Sequence, residues 1–298
     1  YEDIKLLTQN QIGVLYMVAS VICFSVMDIC VKWLDYYPVG QVLFLRFFIG
    51  FIPIFFIIPK NKILSFYKTT RPGLHAFRAV SGALAIIALF YGLRELPLAD
   101  VVSLTFGGPI FVTIASIFFL SEKVGIKRWS AVFLGFVGML LIVQPAFEEL
   151  NYYYISPFIF CIFFACVAIS VRSLSKTEAN YTIAFYFTFL CTVIGLCSAF
   201  FVDWIMPTKI DFLIFVAMGL CGSIANLLLT QSYRLAEASL VTPIKYLSLV
   251  FAIFFGILIW SEVPKMLTLV GAALVILSSL IIFVRESQLK KQIIVPRP

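Results

Sequence analysis

Ten long apolar runs, separated by short polar or Pro/Gly-containing breaks, dominate the chain: near 12–34, 38–59, 74–94, 98–120, 127–146, 153–174, 181–206, 211–233, 239–260 and 265–284. A helix needs about 20 apolar residues to cross the hydrocarbon core, and lipid offers no partner for a bare backbone N–H or C=O. Runs of this length therefore predict helices that span a membrane. Outer-membrane barrels would show alternating strands of about ten residues instead. Breaks as short as Arg94-Glu95-Leu96-Pro97 and Arg234-Leu235-Ala236-Glu237 force neighbouring spans into antiparallel hairpins. The expected fold class is all-α, a polytopic membrane protein of ten transmembrane helices.

Sliding the chain against itself by 140 residues superposes Ser121-Glu122 on Ser261-Glu262 and Arg94 on Arg234, with Gly82/Gly222, Ala85/Ala225 and Leu89/Leu229 in the same register. In so apolar a chain the aliphatic matches carry little weight, and the Arg and Ser-Glu matches carry the register. Each half then holds five spans. An odd number makes the second half cross in the opposite sense to the first, an inverted repeat that offers two nearly equivalent packings, one open to each side. The expected units are 12–146, 153–284 and a cytoplasmic tail, 285–298.

Composition agrees with lipid as the solvent: 62% of residues are hydrophobic, 12% are charged, and the mean hydropathy is +1.06. The polar start, 1–11, carries no separate cleavable signal, so the first run is expected to stay as a span. A net charge of +7 would suggest nucleic acid in a soluble protein. Here Lys60, Lys62, Lys68, Arg71, Lys123, Lys127, Arg128, Arg172, Lys176, Arg285, Lys290 and Lys291 all fall on one side of a ten-span chain, which predicts cytoplasmic termini in a bacterial inner membrane and no nucleic-acid partner. Trp33, Trp129, Trp204 and Trp260 lie at span ends, as interfacial residues do. Seven cysteines without a CxxC pair, one histidine (His75), and the lack of GxSxG, Walker A or GxGxxG signals point away from metal, cofactor, ATP and enzymatic chemistry.

The stretch 90–145, FYGLRELPLADVVSLTFGGPIFVTIASIFFLSEKVGIKRWSAVFLGFVGMLLIVQP, resembles the second part of an EamA domain. It has an LPLADV hairpin, a Pro midway along the next helix, an E-K turn, a Trp, and a glycine-spaced last helix ending in Pro. A weaker echo, 233–285, resembles a second copy, with Leu249 in place of Pro109 and only Gly271 kept in the last helix. The resemblance implies the drug/metabolite transporter superfamily, with a cavity between two five-helix halves and relatives that export amino acids or import S-adenosylmethionine or riboflavin. MDICVKW, FLRFF and RPGLHAFRAVSGAL in the first half look closer to the S-adenosylmethionine uptake type.

An ionisable side chain within a span is a functional candidate by default. Asp28, Arg46, Arg78 and Lys245 are the clearest. Arg46 lies near mid-span and either lines the cavity or pairs with a carboxylate or helix-end carbonyls to lock the bundle. Arg78 sits about one turn inside its span, within snorkelling reach of the interface. Lys245 follows Pro243, which can leave a backbone carbonyl free for a ligand. Asp28 either pairs with a cation or takes a coupling proton. One negative and three positive charges favour an anionic or zwitterionic cargo, with Tyr91, Phe106, Tyr186 and Tyr246 as stacking faces. Ser223, Asn226 and Thr230, with Gln231 beside them, form a polar stripe that is either cavity wall or interhelical glue. Asp100 suits a helix N-terminus. Ser81, Gly82, Ala85, Gly135 and Gly138 allow close helix approach.

The resulting expectation is a secondary transporter of a small zwitterionic or anionic metabolite, such as an amino acid or an S-adenosylmethionine-like compound. It would act by alternating access, as a monomer or homodimer, with Arg46, Arg78, Tyr91, Ser223, Asn226, Lys245 and Tyr246 binding cargo. An exporter of amino acids or drugs is the alternative within the class. A membrane enzyme acting on a lipid-linked group would need clustered acids or a His pair that the sequence lacks. A channel would place its pore on an oligomeric axis, whereas an internal repeat places a site between its own halves.

Overall fold

The computed structural model describes residues 9–58, 67–120, 126–149, 151–174, 177–235 and 242–294. Helices α1 (Gln9–Trp33), α2 (Val39–Ile57) and α3 (Pro72–Glu95) are followed by α4 (Leu98–Thr105), α5 (Gly108–Leu120) and α6 (Ile126–Glu149). The second half comprises α7 (Ile155–Leu174), α8 (Asn180–Cys197), α9 (Lys209–Leu235), α10 (Leu247–Trp260) and α11 (Met266–Ile294). Among the described residues, seven spans have full membrane length, and Trp129–Val143, Ile244–Trp260 and Met266–Ile282 are shorter apolar helices. Prolines set several starts: Pro38 and Pro97 stand at the N-caps of α2 and α4, and Pro72 opens α3, where its missing N–H has no partner to lose.

One span expected to be continuous is broken, and another opens on a tighter turn. The run 98–120 divides at Phe106-Gly107 into α4 and α5, and the run 239–260 enters α10 through a 3-10 turn, Thr242–Tyr246. Pro109 cannot donate to the carbonyl of Thr105, so the break leaves polar backbone inside the bundle. Side chains of other spans answer it: the Cys161 thiol lies 3.5 Å from the Leu104 carbonyl, and the Ser279 hydroxyl donates to the Phe106 carbonyl at 2.8 Å. Buried Cys161 thus serves the break as well as the core.

A shift of 140 residues maps Phe47 onto Phe187 and Phe106 onto Tyr246. Each of these pairs is in ring contact, at centroid separations of 5.2 Å and 4.9 Å. Equivalent residues can touch only where a pseudo-two-fold axis passes between them. Reciprocal contacts join α6 to α11: the Ser278 hydroxyl donates to the Ala131 carbonyl, and Gly138 and Gly271, their mates, meet backbone to backbone.

Packing does not follow the halves. α1 packs on α9 and α10, and α2 on α9, so α1, α2, α9 and α10 form one body. The repeat-related set, α7, α8, α3 and the broken α4–α5 span, forms the other through α3 on α7 and α8, and α4 and α5 on α7. Each body draws helices from both repeats, and the two touch through α2 on α8 and α4 on α10.

Candidate functional site

Between the bodies lies a small pocket of about 10 Å³, lined by Ser25, Asp28 and Ile29 of α1, Leu98 and Val102 of α4, and Ser248, Phe251 and Ala252 of α10. Metabolite sites usually measure roughly 300–1,000 Å³, so the pocket is contracted here. Ser25 and Asp28 are three residues apart, which puts both on the face that α1 turns to the pocket. The Ser25 hydroxyl is buried with no hydrogen-bond partner, and no described donor reaches the Asp28 carboxylate. Ser248 donates to the Lys245 carbonyl at 2.8 Å.

One helical turn beyond Asp28 the pocket is closed. Lys32, 5% exposed, places its Nζ 2.6 Å from Oε1 of Glu262, donates to the Leu96 carbonyl at 2.6 Å, and lies 5.4 Å from the Trp260 ring centroid. The other carboxylate oxygen of Glu262 accepts the Leu98 N–H at 2.9 Å. Glu262 is positioned by the end of α10: Ser261 adopts φ 56°, its N–H reaches the Ile257 carbonyl, and the Glu262 N–H reaches that of Gly256. Lys32 and Glu262 belong to one body, and Leu96 and Leu98 join α3 to α4 in the other, so this cluster holds the bodies together at one end. Arg94 reinforces that end by donating to the Leu34 and Tyr37 carbonyls. So does buried Asp100, which accepts from Tyr154 and Thr268 as well as standing in the first turn of α4.

Arg46 is 6% exposed, and among the described residues no carboxylate forms an ion pair with it. Its Nε donates to the Met27 sulfur at 3.3 Å, and its guanidinium lies 4.4 Å from the Phe47 ring centroid and 6.0 Å from that of Phe90. Its space exists because Gly222 of α9 has no Cβ. Arg78 stacks on Phe187 at 3.9 Å, with Nε and Nη1 buried and unpartnered. Phe187 and Phe47 are in contact, so an aromatic pair on the pseudo-two-fold axis carries one guanidinium on each side. Among the described residues, no ion pair joins Asp28 to Arg46.

The remaining candidates scatter. Tyr246 meets Phe106 at the axis, with Lys245 beside it in the 3-10 turn. Ser223 lies against Gly50 at the α2–α9 contact, a glue position, while Asn226 and Thr230 are exposed and bond back to the carbonyls of Gly222 and Asn226. Tyr186 donates to the Tyr67 carbonyl and packs on His75. Tyr91 is 45% exposed and away from the pocket. The Lys32–Glu262 closure and the Ser25 and Ser248 hydroxyls were not anticipated. The repeat held a signal for the closure, since Lys32 and Glu262 fall on Arg172 and Glu122 in the same register.

Comparison with known proteins bears on this arrangement. The model of the "EamA-like transporter family" matches residues 11–144 and 151–284, two segments offset by the same 140 residues. A riboflavin transporter of Rhizobium johnstonii is 28% identical over 286 residues, covering 94% of this chain and 93% of that one. A pseudopaline exporter of Pseudomonas aeruginosa is 28% identical over 271 residues (89% and 94%), and an S-adenosylmethionine uptake transporter of Rickettsia bellii 28% over 281 residues (93% and 95%). A crystal structure of a chain 16% identical superposes with a TM-score of 0.62 over 93% of this chain and 98% of that one, a likeness of fold. With both repeats matched along nearly its whole length, the chain is a multi-pass membrane protein that belongs to the EamA-like transporter family.

Proposed function

We propose that the protein is a secondary transporter that carries a small zwitterionic or anionic organic metabolite across a bacterial inner membrane by alternating access, with both termini cytoplasmic. The observation that carries this reading is the pair of guanidiniums, Arg46 and Arg78, held inside the bundle on Phe47 and Phe187 without a carboxylate. Unpaired cations are costly in lipid and are retained where a ligand supplies the missing anion. Their place supports the mechanism as well, because the Phe47–Phe187 contact lies where the two bodies meet. Rocking one body against the other would open the pocket to one side while a repeat-related closure forms at the other. In the state described, the Lys32–Glu262 cluster closes the end that the loop charges place outside.

Counterflow in proteoliposomes tests the reading directly. Vesicles preloaded with amino acids, S-adenosylmethionine, riboflavin or carboxylates should accumulate the matching labelled compound, and Arg46→Gln should abolish accumulation while the protein stays monodisperse. Counterflow of purely cationic compounds alone would overturn the charge assignment. Loss of counterflow for every ligand that binds would overturn transport itself.

A further inference from the structure

We propose that Asp28 and Arg46 divide the two poles of an α-amino-acid head group between them, Asp28 taking the ammonium and Arg46 the carboxylate. This rests on the transporter reading above and sharpens its substrate class. Arg46 and Asp28 lie within each other's electrostatic reach, and Arg46 contacts Met27, the residue before Asp28. Opposite charges this close inside a bundle ordinarily pair, because each alone is poorly solvated. Here they do not. The Arg46 Nε–H is instead spent on a thioether, a weak neutral acceptor that a carboxylate would outbid. Asp28 faces the pocket without a donor.

The pocket supplies what an ammonium group needs. Three N–H bonds call for three oxygens, and the lining offers the Asp28 carboxylate, the buried unpartnered Ser25 hydroxyl, and the Ser248 oxygen, whose proton is committed to Lys245. The rest of the wall, Ile29, Val102 and Phe251 among it, is apolar. Arg46 is not on the pocket wall but stands against Met27, the residue before Asp28, so a head group held at Asp28 would reach its second pole past Met27, and an apolar side chain would continue along this wall. Asp28 and Arg46 stand on α1 and α2, within one body, so the head group would travel with that body while α4 of the other exchanges over it. The repeat mates of Asp28 and Arg46 are Ala168 and Tyr186, so the two poles are supplied once, by the first repeat.

The test is ligand-induced thermal stabilisation of the full-length protein in nanodiscs, using the twenty L-amino acids, with the N-acetyl derivative and methyl ester of each amino acid that stabilises. The free amino acid should bind on the order of tens-fold tighter than either blocked form, the effect of losing one charge-assisted hydrogen-bond set. Asp28→Asn should remove the preference over the N-acetyl compound while keeping the preference over the ester, and Arg46→Gln should do the reverse. Arg46→Lys serves as a second variant, with weakened carboxylate recognition. Blocked forms that bind as well as the parent, or variants that keep both preferences, would overturn the assignment. So would stabilisation by riboflavin or a simple dicarboxylate with none by any amino acid, while counterflow of that compound would leave the transporter reading standing. Amino acids that bind but show no counterflow would leave the site standing and sink transport.

Discussion

Removing the Glu262 carboxylate should loosen the closed end of the protein by a predictable amount. Glu262→Ala leaves the Lys32 ammonium, 5% exposed, with only the Leu96 carbonyl and the Trp260 face, and strips the Leu98 N–H of its acceptor. Breaking one side of a buried ion pair costs about 3–5 kcal/mol. Glu262 is 23% exposed and Lys32 keeps one acceptor, so the lower end, about 3 kcal/mol, applies. For a chain this long that corresponds to a Tm drop of about 5 °C, read by dye-monitored unfolding in nanodiscs. Lys32→Met leaves the carboxylate unpaired and should behave similarly. The double variant Lys32→Met/Glu262→Gln removes the charges together, and Gln keeps an acceptor for Leu98, so it should recover most of the loss. With Glu262→Gln as the matching single variant, a milder loss because Gln keeps acceptors for Lys32 and Leu98, a coupling of about 3 kcal/mol, the upper end for residues in contact, would close the cycle. A Tm within about 1 °C of the parent for Glu262→Ala, or singles that simply add, would show that the pair does not hold the bodies together and refute the reasoning.

Other consequences can be checked alongside. Arg78→Met should raise Tm, because two buried guanidinium nitrogens without partners are a standing cost of about 1–3 kcal/mol each, while it lowers affinity for anionic ligands; a fall in both would mean the side chain is structural. A Cβ on Gly138 would approach the Gly271 carbonyl to 2.7 Å, so Gly138→Ala should pry α6 from α11 and lower Tm by several degrees, whereas Gly73→Ala, with open space around it, should leave Tm unchanged or slightly raised. Ser261→Gly should stabilise by about 1 kcal/mol, since φ 56° disfavours any side chain, and a lower Tm would contradict that strain. Glu178 offers a pH test. Burial pushes its carboxyl up, but hydrogen bonds from Thr69 and Thr70 and the field of His75 outweigh this and hold it below its ordinary 4.5. A depressed folded value means stability present above 4.5 and lost as pH falls through it, so unfolding between pH 6 and 3 should steepen in the parent relative to Glu178→Gln; parallel curves would dismiss the tie.

The sequence by itself determined the helices, their number and the inverted repeat. Those features follow from local rules: lipid demands internally bonded backbone, and apolar runs of membrane length have no other way to meet that demand. It also marked Asp28, Arg46 and Arg78, because charge within a span is rare enough to stand out without knowledge of packing. Tertiary structure decided which helices form a body, since α1 packs on α9 and α3 on α7 across the repeats through close approach of surfaces far apart in the chain. It decided that span four is broken, because the cost of a freed carbonyl depends on whether a distant side chain, such as Cys161 or Ser279, can reach it. It decided that Asp28 and Arg46 stand apart, whereas Lys32 finds Glu262, a residue 230 positions away. Pairing of charges in a low dielectric is settled by distances of a few ångström, and those are fixed only when the helices have packed.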